Sequence, residues 1–101
     1  MLKGFEKKYL RGLAHGQEPV VTVGQKGLTD SLTRSVNEAL DIHELIKIRF
    51  NDFKEKDQKT EIMAKISSAT GSEMAGMVGH TAILYRQHSD PEKRKIRLPK
   101  K

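Results

Sequence analysis

The spacing of apolar residues predicts an amphipathic helix at the start of the chain. At about 100° per residue, one arc of this helix holds Leu2, Phe5, Tyr9, Leu10 and Leu13. The opposite arc holds Lys3, Lys7, Lys8 and Arg11. We therefore expect Phe5 and Tyr9 in the core, a basic outer face, and a helix end between Gly12 and Gly16.

Two short segments have the pattern of strands. Residues 19–23 begin with a proline, which a strand start tolerates, and continue with β-branched side chains. Residues 45–50 alternate with period two, so that Ile46, Ile48 and Phe50 share one face while Lys47 and Arg49 share the other. The second segment is thus predicted to be a half-buried strand with a basic open face.

Two further helices follow from apolar residues three and four positions apart. One is capped by Thr29 or Asp30, ends near His43, and has an apolar face of Leu32, Val36, Ala39 and Leu40. The other is capped by Asp57 and ends at Gly71, which suits a left-handed conformation. Its predicted core stripe is Ile62, Met63, Ile66 and Ala69.

Residues 74–78 and 82–85 predict a closing hairpin, with a tight turn at residues 79–81. The element order is then α-β-α-β-α-β-β. This order predicts an α/β fold in one compact domain, with a mixed four-stranded sheet and helices packed on it. The pattern leaves the strand order open. Helices would cover only one face of the sheet fully, so part of its surface would remain available to a ligand.

The charge of the chain favours a polyanionic partner. The 101 residues carry a formal net charge of +6, and the isoelectric point is about 9.7. Such values are typical of domains that bind nucleic acid. The alternatives are binding to an anionic membrane surface and a charge that serves only solubility. Residues 87–101 alone carry six basic and two acidic side chains. We therefore divide the chain into a body, 1–86, and a basic C-terminal tail, 87–101.

Several classes of chemistry have no support in the sequence. The chain has no cysteine, which excludes disulfides, thiolate nucleophiles and cysteine-based zinc sites. The four histidines lack metal-ligand spacing, and no apolar run approaches the ~18 residues of a membrane span. No nucleophile motif or acid–base pair stands out either. We expect a cytoplasmic protein without catalytic activity, metal or cofactor.

The sequence Gly24-Gln25-Lys26-Gly27 links a predicted strand to a predicted helix. Glycines let backbone N–H groups approach a phosphate closely, and the helix N-terminus behind them favours an anion. Lys26 would add a cation at the tip. The motif is short, so a purely structural turn is the alternative interpretation. It is neither a dinucleotide-binding fingerprint nor a Walker loop, because the further glycines that those motifs need are absent.

Six stretches together resemble a known family; they are residues 10–15, 19–21, 24–29, 39–48, 78–81 and 84–86. The family is the CRM domain (chloroplast RNA splicing and ribosome maturation), in its stand-alone bacterial, YhbY-like form. The resemblance implies a fold similar to the C-terminal domain of translation initiation factor three. It also implies RNA binding without catalysis. Bacterial members of the family are associated with precursors of the large ribosomal subunit.

The resemblance assigns the family's G-x-x-G loop to residues 24–27 and part of its basic surface to the first helix. His80 departs from the family, which commonly has Lys or Arg there. Our hypothesis is that the RNA-binding residues are Gly24, Gln25, Lys26, Gly27, Lys7, Lys8, Arg11, Lys93, Arg94 and Lys95. The sequence leaves open whether His80, Lys47 and Arg49 contact RNA.

The expected partner is ribosomal RNA in the precursor large subunit, bound by a monomer, with no membrane and no small-molecule substrate. Two rival functions stay open on the sequence alone. One is a DNA-binding domain, although a predicted strand separates every pair of helices and so argues against a helix-turn-helix. The other is a protein-interaction module whose positive charge is incidental.

Overall fold

The computed structural model describes residues 1–100; Lys101, the last residue of the predicted tail, lies outside the described residues. Its elements are α1 (Gly4–Ala14), β1 (Val21–Val23), α2 (Asp30–His43), β2 (Leu45–Phe50), α3 (Lys56–Thr70), β3 (Glu73–Val78) and β4 (Thr81–Tyr85). A single 3₁₀ turn, Pro91–Lys93, follows. The predicted element order and the mixed four-stranded sheet are confirmed.

The strand order in the sheet is β1-β2-β4-β3. β1 runs parallel to β2, whereas β4 is antiparallel to both of its neighbours. The connection through α3 therefore skips the position that β4 fills. A two-residue loop joins β3 to β4, and Gly79 occupies it with a φ of +59°. β1 and β3 are thus the two edges of the sheet.

One face of the sheet is covered by α2 and α3. The side chains of β2 that point to this face, Ile46, Ile48 and Phe50, pack with Val36 and Leu40 of α2. Met63 and Ile66 of α3 complete the same core, as predicted. Ala69, by contrast, is exposed, so its predicted core position is wrong.

The caps of the two helices agree only in part with the sequence. Thr29 caps α2, because its Oγ1 accepts a hydrogen bond from Leu32 N at 3.0 Å. α3 begins two residues earlier than predicted, with Glu55 rather than Asp57 as its N-cap. Gly71 ends α3 in the left-handed conformation, with a φ of +67°, as expected.

The opposite face of the sheet carries α1, which is rotated about its axis relative to the predicted orientation. Leu10 and Ala14 are the buried residues, whereas Tyr9 and Leu13 are each 40% exposed. The predicted core position of Tyr9 is therefore wrong, and Phe5 is only partly buried.

The roll of α1 is held in place by an arginine. Arg11 Nη1 donates a hydrogen bond to Ala75 O in β3 at 3.0 Å. Its stem lies across Gly76, where an added Cβ would stand only 2.6 Å from Arg11 Cδ. The aliphatic part of this side chain thus covers Gly76 at the sheet edge, while its guanidinium binds the backbone of the same strand.

Candidate functional site

The glycine turn, residues 24–27, lies at the C-terminal end of the edge strand β1. Gly27 N donates to Gly24 O at 3.0 Å, which closes the turn. Gly24, Gln25 and Lys26 are exposed, whereas Gly27 is buried with a φ of +63°. The ring of Phe53 packs on Gly27 so closely that an added Cβ would stand 3.1 Å from it. The turn is therefore packed against Phe53 on one side and exposed to solvent on the other.

A groove of about 550 Å³ runs beside the glycine turn, between β1 and the start of α2. Thr22, Ser31 and Ser35 line it together with Lys26. Within residues 1–100, Lys26 has no hydrogen-bond or ion-pair partner, so its charge is not neutralised. Asp30, in the first turn of α2, is the nearest carboxylate along the chain. The groove can accept an anion, with hydroxyl donors beside it.

The three cations of α1 belong to a helix that is fixed to the edge of the sheet opposite the glycine turn. Arg11 is hydrogen-bonded to β3, the opposite edge of the sheet, and the charge of Lys7 helps to lower the pKa of Glu73 at the start of that strand. Lys8 is exposed. The structure therefore does not bring Lys7, Lys8 and Arg11 into one cluster with residues 24–27.

Glu73 anchors the start of the chain beside these cations. Its Oε2 accepts a hydrogen bond from Leu2 N at 2.7 Å, and its Oε1 lies 3.4 Å from the N-terminal amine. The backbone donor is the main reason that the pKa of Glu73 lies below its usual value; burial opposes this effect, and the charges of the amine and Lys7 reinforce it.

The tail is docked on the α1 face by the buried carboxylate of Glu44. Glu44 accepts hydrogen bonds from the backbone N–H groups of His88, Lys95 and Ile96 at 2.7, 2.6 and 2.9 Å. Burial raises the pKa of Glu44, but the three donors together outweigh it and hold that pKa below its ordinary value. Ile96 and Leu98 pack against the α1 core, on the same face as Leu10.

Docking leaves the side chains of the predicted tail site outside. Lys93, Arg94 and Lys95 are all exposed, although their backbone is fixed at Lys95. Arg94 Nε donates to His88 O at 2.8 Å. These cations therefore occupy defined positions on the body of the protein rather than on a free segment.

The sequence left open whether Arg49 contacts RNA. In the structure its side chain is exposed on a part of the sheet that no helix of residues 1–100 covers. The register aligns Thr22 with Arg49, Arg49 with Thr81, and Thr81 with Val78. We call this row, one residue from each strand, the sheet corner. It lies on the α1 face, where α1 stops short of covering it, and both Arg49 and Val78 are exposed. Period-two alternation gave the face of Arg49, but not the extent of the helix above it.

Lys47, on the same face, has a structural role. Its Nζ donates to Gln17 O at 3.1 Å and to His15 O at 3.4 Å. It thereby satisfies carbonyl groups just beyond the C-terminal end of α1, where a cation is favoured. Its charge nevertheless stays unneutralised, since both acceptors are neutral.

The hairpin loop is held by a buried lysine of α3. Lys59 Nζ donates to Gly79 O at 2.7 Å and lies 3.2 Å from His80 Nδ1. Because an ammonium group has only donors, Nδ1 must accept, and the proton of a neutral His80 belongs on Nε2. His80 is exposed and lies at the same end of the sheet as the glycine turn.

The described residues contain no group of three or more side chains that could hold a metal ion. Within the same range, no helix has both the length and the apolar character to cross a bilayer. The ion pairs among residues 1–100 join Met1 to Glu73, Lys65 to Glu61 and Arg86 to Asp41. None of these three ion pairs includes a lysine or arginine of the glycine turn, α1 or the sheet corner.

Comparison with known proteins identifies the family. Residues 2–86 match the model of the CRS1/YhbY (CRM) domain. The chain belongs to the CRM domain family. This CRM domain is 36% identical over 96 residues to a Haemophilus influenzae protein named RNA-binding protein, covering 95% of this chain and 93% of that one. It is 32% identical over 99 residues to a Bacillus subtilis protein, probable RNA-binding protein YqeI, covering 98% and 100%.

The fold of this CRM domain also matches a solved structure. The solution structure of a hypothetical Staphylococcus aureus protein superposes with a TM-score of 0.81 at 31% sequence identity. The match covers 98% of this chain and 100% of the other. The expected α/β fold and the family resemblance are therefore confirmed, and both extend beyond the glycine turn to nearly the whole chain.

Proposed function

We propose that this CRM domain binds RNA and catalyses no reaction on it. The observation that carries the proposal is the open glycine turn, whose Lys26 has no neutralising partner within residues 1–100. The names of its relatives, which describe RNA-binding proteins, support the same partner. Neither a metal-ligating cluster nor a nucleophile motif among the described residues suggests a reaction.

The turn would hold one phosphate of the RNA backbone. Gly24 has open space where a side chain would stand, so a phosphate can approach its backbone without obstruction. Lys26 supplies the charge, and the first turn of α2 adds its partial positive pole. Asp30 opposes the anion there, so we expect the phosphate to lie toward Lys26 and the hydroxyl groups of the groove.

Other cations would extend the contact along the RNA. Lys7, Lys8 and Arg11 lie toward the β3 edge, and Lys93, Arg94 and Lys95 are displayed by the docked tail. Because these groups are spread over the molecule, they suit a folded RNA better than a short single strand. Phosphate contacts position a ligand but carry no sequence information, so specificity would come from the shape of the RNA.

In the cell, the RNA would be ribosomal RNA within precursors of the large ribosomal subunit, bound by a monomer in the cytoplasm. Crosslinking in living cells, followed by sequencing of the attached RNA, tests this assignment. Enrichment of large-subunit precursor RNA is expected. Recovery of mainly messenger or transfer RNA would contradict the ribosomal role but not RNA binding itself.

The binding proposal is tested by a Lys26→Glu substitution. Lys26 is exposed, so the circular dichroism spectrum and thermal midpoint should not change. The affinity for a structured RNA should fall by about tenfold or more, since an attraction is replaced by a repulsion. Unchanged RNA affinity would favour a protein-interaction module, and tighter binding to duplex DNA than to RNA would favour a DNA-binding domain.

A further inference from the structure

The part of the sheet that α1 leaves uncovered forms a second groove, distinct from the one beside the glycine turn. Its volume is about 420 Å³. Arg49, Thr81 and Val78 of the sheet corner line it, and the C-terminal end of α1 provides one wall. Val78 is 67% exposed, so this end of the groove is open to solvent.

The groove has an excess of positive charge. Arg11, Lys47 and Arg49 line it, against the single carboxylate of Glu18. Arg11 and Lys47 donate only to neutral backbone carbonyls, so their charges persist. Arg49 has no hydrogen-bond or ion-pair partner within residues 1–100. An anionic ligand would therefore be attracted here without breaking an existing ion pair.

The chemistry around Arg49 fits a nucleotide better than a simple anion. Its guanidinium can bind a phosphate through two parallel hydrogen bonds or stack on a base. The hydroxyl groups of Thr22 and Thr81, on the neighbouring strands, can pair with a ribose hydroxyl. Val78, which is 67% exposed, adds apolar surface for the face of a base or sugar.

The sheet corner also adjoins the glycine turn. Thr22 lines the groove beside the turn and is at the same time the β1 partner of Arg49. β1 and β2 are neighbours, at the usual strand separation of about 4.8 Å. An RNA strand that extends from Lys26 across the three-residue edge strand β1 would therefore reach Arg49 on β2 next.

We propose that the sheet corner is a second RNA-binding surface, which takes the single-stranded segment next to the phosphate held at the glycine turn. Arg49 is its central contact. This inference rests on the proposed function, because it assumes that RNA binds at the turn.

The test measures fluorescence anisotropy with a labelled single-stranded RNA of about ten nucleotides, within the ~4–16 range of small single-strand-binding folds. The variants are Arg49→Gln for the sheet corner, Lys26→Gln for the turn, and Lys65→Gln as a matched loss of one charge. Lys65 is on α3, which packs on the other face of the sheet. All three side chains are exposed, and thermal midpoints check that folding is unchanged.

Arg49→Gln is expected to weaken binding about tenfold and to lower the salt slope by about 0.7, the value for one single-strand phosphate contact. Arg49→Lys should retain the slope but lose part of the affinity, because a lysine cannot stack or bind with two parallel bonds. Lys65→Gln should leave both quantities nearly unchanged.

Two results would overturn the inference. If Lys26→Gln weakens binding while Arg49→Gln matches Lys65→Gln, the sheet corner is not part of the site and the proposed function stands. If the unchanged chain does not bind this single strand, the sheet corner inference fails; the proposed function fails with it only if a structured RNA is not bound either, or if Lys26→Gln does not weaken the binding of a structured RNA.

Discussion

At the scale of single residues, the two glycines of the turn have different roles. Gly27 has a positive φ and lies under the ring of Phe53, so its role is to form the turn. Gly24 has neither constraint, since an added Cβ would meet nothing within 4 Å. A requirement for glycine at position 24 would therefore come from the ligand and not from the fold.

This difference predicts that Gly27→Ala destabilises the protein while Gly24→Ala does not. A left-handed alanine costs about 1–2 kcal/mol, and the contact with Phe53 adds to that cost. Urea unfolding should show this loss for Gly27→Ala and a change within about 0.5 kcal/mol for Gly24→Ala. RNA affinity should fall for Gly24→Ala although its stability is retained. Equal unfolding midpoints for the two variants would contradict the assignment.

Tyr85 illustrates a cost that one residue imposes on the core. Its hydroxyl oxygen is buried without a hydrogen-bond partner among the described residues, and burial is the main cause that raises the pKa of this phenol. Tyr85→Phe should therefore keep the stability or raise it by up to about 1 kcal/mol, because an unsatisfied polar group is removed. Urea unfolding at neutral pH is the measurement. A loss of more than about 1 kcal/mol would mean that the hydroxyl has a partner.

At the scale of elements, the fold depends on Glu44, which joins α2 to β2 and holds the tail. Its carboxylate binds three backbone donors from a segment more than forty positions later in the chain. Glu44→Gln keeps the shape but removes the charge, so we expect a loss of about 1.5–3 kcal/mol. Faster hydrogen exchange at the amides of Lys95 and Ile96 would locate the loss in the tail.

The stabilisation by Glu44 should also depend on pH. Because folding lowers its pKa below the ordinary value of 4.5, the stabilisation is full above that value and is lost as the pH falls through the lower pKa of the folded state. The difference between the unchanged chain and Glu44→Gln should thus be constant near neutral pH and shrink once the pH falls below 4.5. A difference that is independent of pH would exclude the carboxylate as its source.

The elements differ in how far their sequence determines them. Alternation in residues 45–50 gave β2 and the face of Arg49, because the period of a strand leaves two choices only. The orientation of α1 could not be predicted in this way. The positions of apolar residues predict that Tyr9 and Leu13 pack on the sheet, but the aliphatic part of Arg11 packs there instead, against Gly76. The docking of the tail depends on Glu44, whose pattern in the sequence resembles that of any exposed glutamate.

At the scale of the whole molecule, positive charge is distributed over both edges of the sheet. Lys26 lies at the β1 edge, while Lys7 and Lys8 belong to the helix that is fixed to the β3 edge. Charges this far apart with no shared partner should act independently. The strand order, which the sequence left open, is what separates them.

Binding to a structured RNA should therefore depend steeply on salt, with nearly additive contributions from the two edges. With roughly five phosphates contacted at ~0.7 each, the logarithm of the affinity should fall by about 3.5 per decade of salt. Lys26→Gln and Lys8→Gln should each lower that slope by about 0.7, and the double variant by about twice as much. Lys65→Gln provides the control. An affinity that does not change with salt would rule out recognition of the RNA backbone. If the double variant binds RNA as tightly as Lys26→Gln alone, the interface is confined to the β1 edge.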